Sequence, residues 1–133
     1  MMCVKPSIGE RVFGILSAEK RGSLPREMLD VLRVLVVYSG ASWKSELARE
    51  LPLFHAFKGE PEDVDETQLD GALGKLEKEG LVKVEKRFRA DMGTRGNVED
   101  ELITLVDILA TRNALAKDRV LTSYMREQII VSR

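Results

Sequence analysis

Several chemistries are short of material in this chain: among 133 residues there is one Cys, one His, one Trp, two Tyr and four Phe. A solitary Cys3 rules out an internal disulfide and any Cys-rich zinc cage, and it fits a reducing, cytoplasmic setting. His55 has no second histidine and no carboxylate cluster at ligand spacing, so it reads as a loop residue rather than a metal ligand. The acidic stretch Glu60-Pro61-Glu62-Asp63 lacks calcium-loop spacing and reads as a solvated loop. No apolar run approaches the ~20 residues of a membrane span. No charged start followed by a long apolar stretch marks a signal peptide. Neither a Gly-rich phosphate loop, a nucleophile elbow nor a His-based triad can be assembled. The expectation is a protein that is no enzyme, holds no metal or cofactor, and has no membrane partner.

Charge of one sign is also missing in bulk. The formal net charge is −1 and the pI about 5.9, which argues against a charge-driven, non-specific DNA coat. The distribution says more than the total. Residues 61–100 carry seven basic and eleven acidic side chains, yet Lys83, Lys86, Arg87, Arg89 and Arg95 fall within thirteen positions of that acidic segment. A locally basic element therefore sits on an acidic protein.

What is present is a mostly aliphatic core, since 44% of the residues are hydrophobic. Ser7-Ile8-Gly9-Glu10 reads as a capping box, and Ile8, Val12, Ile15 and Leu16 line a first helix to about Glu19. A second helix carries Met28, Leu29, Val31, Leu32, Val34, Leu35, Val36 and Val37. Its apolar arc is wide enough to require packing on several sides, and it ends before Ser39-Gly40. Ser42 is placed to cap a short third helix, Trp43–Leu51, which Pro52 is expected to end. A further helix begins after Asp63 or Asp65.

The hydrophobic period changes at Gly80. Before it Leu69, Ala72, Leu73 and Leu76 recur every three or four residues, as on one stripe of a helix. After it Val82, Val84 and Phe88 alternate with Lys83, Glu85, Arg87 and Arg89, as in a half-buried strand. Gly80 stands where a helix C-terminus needs a left-handed residue. Ala90–Asn97 is a hairpin tip by composition. Residues 98–107 contain the continuous apolar run LITLV; a basic strand needs a hairpin partner, which favours strand over helix here. Residues 108–133 have helix-like but imperfect spacing.

"LDGALGKLEKEGLVKVEKR", with its paired leucines, its acidic-Gly-Leu turn and its basic strand, resembles the third helix and first wing strand of the winged helix-turn-helix superfamily. It is most similar to the MarR- and PadR-type transcriptional regulators. The resemblance covers roughly Leu24–Asp107. Two features differ from that pattern: Pro52–Val64 is a long connection between the two short helices, and Asp91 and Arg95 do not reproduce the Asp-x-Arg-type wing element. The implied fold is α+β, mainly α: an N-terminal helical arm at 1–23, a winged-helix domain at 24–107, and a C-terminal helical arm at 108–133.

That likeness implies a dimeric, sequence-specific regulator of transcription that binds double-stranded DNA. A small-molecule effector is compatible with it, but no residue identifies one. With ~100° per residue, Thr67, Gly71, Gly74, Lys75 and Lys78 point outward on the candidate recognition helix. Glu66, Asp70 and Glu77 lie on its flank. Two glycines inside a helix cost about 1 kcal/mol each, which is accounted for by close approach to a groove, by close helix–helix packing, or by tolerance. Lys83, Arg87, Arg89 and Arg95 are phosphate contacts in the DNA reading and a solvated strand face in the plain one. Lys44, beside Trp43 at a helix start, is a further candidate for a phosphate, with Trp43 alternatively a core anchor. The first and last helices are either dimerisation arms or cover for their own domain. A protein-interaction winged helix, a scaffold in a transcription or chromosome complex, is the competing reading, favoured by the low pI and the acidic helix flank.

Overall fold

The computed structural model describes residues 6–61, 63–91 and 96–131. The elements in order are α1 (Ile8–Ser17), a 3-10 turn (Glu19–Arg21), α2 (Ser23–Val37), β1 (Ala41–Trp43), α3 (Lys44–Phe57), α4 (Glu66–Lys78), β2 (Val82–Asp91), β3 (Gly96–Leu105), α5 (Ile108–Ala114) and α6 (Arg119–Val131). The fold is mainly helical with one antiparallel sheet in the order β1-β3-β2. No helix among the described residues is long and apolar enough to cross a membrane.

The wide apolar arc of α2 has its expected consequence: every residue from Glu27 to Val36 is buried. Leu29, Val31, Leu32, Val34 and Leu35 form the centre, with Leu47 and Leu51 of α3, Leu69, Leu73 and Leu76 of α4, and Ile103 of β3 around them. Each such side chain contributes about 1.5–3 kcal/mol by leaving water. Val12 of α1 and Leu115, Leu121 and Tyr124 near the C-terminus join the same core. Arg11 of α1 also donates to the carbonyl of Glu79 at the end of α4, where an orphan carbonyl and the negative helix end favour a cation.

The period change at Gly80 is realised as a helix stop. Gly80 has φ 75°, and the amides of Gly80 and Leu81 turn back onto the carbonyls of Glu77 and Leu76 at 3.0 and 2.9 Å. The chain then enters β2, which pairs with β3 from Val82↔Leu105 to Asp91↔Gly96. Residues 98–105 are therefore strand, as a hairpin partner for the basic segment requires. Ser7 caps α1 by accepting from the Glu10 amide, and Asp65 caps α4 by accepting from Thr67.

Three local expectations are corrected. Pro52 does not end the third helix: α3 continues to Phe57, so the connection to α4 is residues 58–65 rather than 52–64. Proline in a helix interior costs about 3 kcal/mol. Continuation is offset by Phe54, fully buried with its ring 4.8 Å from that of Tyr124 in an edge-on contact. Gly59, at φ 76°, is the actual stop. Ser42 is not a cap but a buried residue of β1, opposite Ile103, and its neighbour Trp43 precedes α3 without a capping hydrogen bond. His55 is not a loop residue; it lies buried on α3.

His55 belongs to a charged network beneath α2. The Arg33 side chain is 1% exposed and its guanidinium meets Asp118 at 2.7 Å, Glu19 at 2.6 Å and Asp30 at 2.9 Å. Lys58 Nζ bonds Asp30 at 2.8 Å, and His55 Nε2 lies 3.3 Å from Asp30 and 3.7 Å from Glu27. Burial works against the charge of Asp30, but hydrogen bonds from His55 and Lys58 outweigh it and hold its carboxyl below the usual range. Burial pushes Glu27 upward, and its Oε1 is buried without a hydrogen-bond partner among the described residues. This network ties the 3-10 turn, α2, α3 and the start of α6 together.

Candidate nucleic-acid interface

The outward face of α4 is open. A Cβ added at Gly71 or Gly74 meets nothing within 4 Å, so close helix–helix packing does not account for either glycine. Thr67, Lys75 and Lys78 are exposed along the same helix. Lys75 reaches Glu79 at 3.3 Å, whereas Lys78 forms no ion pair among the described residues. The two glycines thus mark a stretch of exposed backbone that two lysines follow.

The hairpin beside it carries two distinct faces, because residues opposite one another across a ladder share a side. Lys83, Glu85, Arg87 and Arg89 lie on one side with Thr104, Leu102, Asp100 and Val98. Val82, Val84, Lys86 and Phe88 lie on the other with Leu105, Ile103, Glu101 and Glu99. On that second side Val82, Ile103 and Leu105 are buried, while Phe88, further out, is 70% exposed. Lys86 is exposed without an ion pair among the described residues, a cation that the sequence reading left out of its site.

Most of the sequence-selected cations are already engaged. Lys83 and Arg87 both reach Glu85, at 3.3 and 2.8 Å, and hydrogen bonds from Arg87 and then Lys83 hold that carboxyl below its ordinary value. Arg89 Nε bonds Asp100 at 2.8 Å and its Nη2 lies 3.3 Å from Ser45 Oγ, joining the hairpin to the start of α3. Burial opposes ionisation of Asp100, but hydrogen bonds from Ser45 and Arg89 hold it below the carboxylate range. Lys44 binds Asp70 directly, with Glu101 at 3.9 Å and Glu66 at 4.0 Å. The hydrogen bond that Lys44 donates to Asp70 raises its ammonium above its usual value against the opposing effect of burial. Lys44 is thus a tie between α3, α4 and β3. Trp43 is half-buried in β1 opposite Leu102. Arg95 lies outside the described residues.

Between these elements runs an acid-lined groove of about 450 Å³, walled by Lys44 and Ser45 of α3, Glu66 and Leu69 of α4, and Glu99–Glu101 of β3. The positive end of the candidate interface is therefore the second half of α4, from Gly71 to Lys78, and not its start. Among the described residues no group of three or more His, Cys, Asp or Glu side chains could hold a metal ion. No protein-family model matches the chain, and no curated protein matches it in sequence.

Proposed function

We propose that this chain is a winged helix-turn-helix protein that binds double-stranded DNA as a dimeric transcriptional regulator, with α4 entering the major groove. Support for the fold comes from the order α2-β1-α3-α4-β2-β3, in which a short strand precedes the helix pair and a long hairpin follows it. One observation carries the functional reading: α4 presents exposed backbone at Gly71 and Gly74, followed by the exposed Lys75 and Lys78, with nothing among the described residues within 4 Å of a Cβ placed at either glycine. The major groove is about 12 Å wide and admits a helix; missing side chains let the backbone come closer. Lys78 and Lys86, without an ion pair among the described residues, can replace phosphate counterions, while Lys83 and Arg87 can exchange Glu85 for a phosphate. Solvent-screened pairs of that kind contribute little, so the exchange is cheap. The dimer is built through α1, α5 and α6, where Phe13, Leu109 and Met125 remain exposed. Two symmetric copies then meet half-sites about one helical turn apart. A cytoplasmic place of action goes with this reading.

A second reading is supported by the acid-lined groove and the paired wing cations: a winged helix that docks a protein, as a scaffold in a transcription or chromosome complex. Fluorescence anisotropy with random-sequence duplexes at low salt separates the two. DNA binding is expected at or tighter than ~10⁻⁴ M, with enrichment of a defined site on repeated selection. No binding in that range discards the regulator and leaves the scaffold.

A further inference from the structure

A second groove, of about 490 Å³, opens on the far side of the charged network, and no residue of α4 or the hairpin lines it. Its wall brings together Lys20 of the 3-10 turn, Arg26 of α2, Lys58 after α3, and Arg119 and Ser123 of α6. Lys20, Arg26 and Arg119 are all exposed, and none forms an ion pair or hydrogen bond through its side chain with a described residue; Arg26 feels Glu27 only at longer range.

The lining also contains two carboxylates, and both are ion-paired, each sharing its cation with buried acids of the network. Glu19 is held by Arg33 at 2.6 Å and Glu60 by Lys58 at 3.1 Å. The adjacent Asp118 bonds Arg33 through both of its oxygens, at 2.7 and 3.2 Å, and forms no ion pair with Arg119. Lys58 is fixed, its side chain 6% exposed and its ammonium on Asp30 at 2.8 Å. Three cations from three elements therefore line one groove, each without an ion-pair partner among the described residues, and they outnumber the two acids of its wall. Phe57 and Val120 add an apolar surface, and Phe57 is braced by Tyr124 at 5.3 Å.

We propose that this groove binds a small phosphorylated molecule with a planar or apolar body: phosphate oxygens on Lys20, Arg26 and Arg119, a hydrogen bond from Ser123, the body against Phe57 and Val120. The volume lies within the usual range of small-ligand sites, about 300–1,000 Å³. Guanidinium forks match phosphate geometry better than point charges do. Such a ligand joins the start of α6 to α2 and α3, and two of the groove's wall residues, Glu19 and Lys58, belong to the charged network that holds those elements. This site is independent of DNA binding and can be read without it.

The test is calorimetric titration of the whole chain with ADP, adenosine and inorganic phosphate, on the wild type and on the Arg26→Gln/Arg119→Gln variant. ADP is expected to bind at low salt, at least about tenfold more tightly than either adenosine or phosphate, and the double variant to lose at least about tenfold. Circular dichroism and the melting temperature serve as the fold control, since neither arginine has an internal partner to lose. No ADP binding at millimolar concentration overturns the proposal, and so does ADP binding that survives in the variant. Phosphate binding as tightly as ADP also overturns it, since the body then contributes nothing. If a DNA duplex displaces ADP and loses its own affinity with the same substitutions, the groove is a nucleic-acid surface and the small-molecule site is refuted.

Discussion

Replacing Arg33 by Met tests the central claim about how this fold is held. Arg33 is 1% exposed and serves Glu19, Asp30 and Asp118 at once. The three acids lose unequally. Asp30 keeps Lys58 at 2.8 Å and His55 at 3.3 Å, and Glu19, with its side chain 23% exposed, can recover water. Asp118, 6% exposed, has no other cation among the described residues. Leaving one buried carboxylate uncompensated costs about 3–5 kcal/mol, and for a chain of this size that is a fall in Tm of ~10–18 °C. Arg33→Lys keeps the charge but not the fork that spans three acids, so it falls between wild type and Met. The Arg33→Met/Asp118→Leu double variant removes the stranded charge as well and is expected to regain at least about 1 kcal/mol over the sum of the single losses. Urea unfolding followed by circular dichroism at neutral pH gives all four free energies. A loss under about 1 kcal/mol for Arg33→Met, or strict additivity with Asp118→Leu, refutes the argument that this network ties α6 to the core.

The same network makes stability depend on pH. Hydrogen bonding to Asp30 raises His55 above its ordinary value against the effect of burial, with Glu27 adding to the rise and Lys58 opposing it. A raised folded-state value means that the stabilisation is complete below about pH 6.5 and is lost as pH rises through the folded value. His55→Gln should flatten the urea midpoint between about pH 6 and about pH 9; equal slopes in the two proteins contradict the assignment. Two glycine substitutions should move stability in opposite directions. Gly71→Ala meets open space and is expected to gain up to about 1 kcal/mol. Gly40→Ala forces φ 99° on an L residue and puts a Cβ 2.8 Å from Ile108 Cδ1, for a loss of at least about 1–2 kcal/mol; melting curves that move in the same direction refute this. In the DNA reading, Lys78→Gln and Lys86→Gln each lower the slope of log K against log salt by about one unit. Arg89→Gln, which breaks the tie to Asp100 and Ser45, should lower Tm more than either. A larger slope change from Arg89→Gln than from Lys78→Gln goes against the structural role given to it.

What was legible in the sequence is what repeats locally. The helix-to-strand change at Gly80 is written in successive residues, and the structure keeps it to the residue. The strand at 98–105 was reached through its necessary partner, although LITLV alone reads equally as helix. The end of α3 was not legible. Pro52 is a strong local stop, and the side chain that overrides it, Phe54, is held by Tyr124, seventy residues away. β1 was missed because three residues give no alternation to count; its only cause is the free edge of β3. His55 was misplaced for the same reason, since its position depends on Asp30 and Glu27 of another helix. The charges show the limit most sharply. Composition shows a basic stretch at 83–95, but register decides that Arg89 meets Asp100 and that Glu85 sits between Lys83 and Arg87. Lys86, overlooked as one basic residue among several, is the one on β2 left without a partner among the described residues.

That register also decides where a polyanion can approach. Glu66 and Asp70 at the start of α4, with Glu99 and Glu101 of β3, surround Lys44 and make the first turn of the helix the acidic end of the face. Thr67 stands on that turn, so phosphate contact there works against at least two exposed carboxylates. Past Asp70 the helix offers Gly71, Gly74, Lys75 and Lys78, and only Glu77 and Glu79 on its flank. Bare backbone lets a duplex come near, and the cations follow one turn later; the two features are useful only together. A protein partner has no need of bare backbone at the basic end and would use the acid-lined groove instead. Gly74→Leu and Glu101→Lys therefore separate the two readings. In a DNA regulator Gly74→Leu weakens the specific site by filling the approach, while Glu101→Lys removes repulsion and raises affinity for every duplex. In a docking module Glu101→Lys damages partner binding, and Gly74→Leu leaves it intact. Pull-down of a basic partner and anisotropy on duplex DNA, run on both variants, give opposite patterns for the two functions, and a variant pair that alters neither binding refutes this whole face as the functional site.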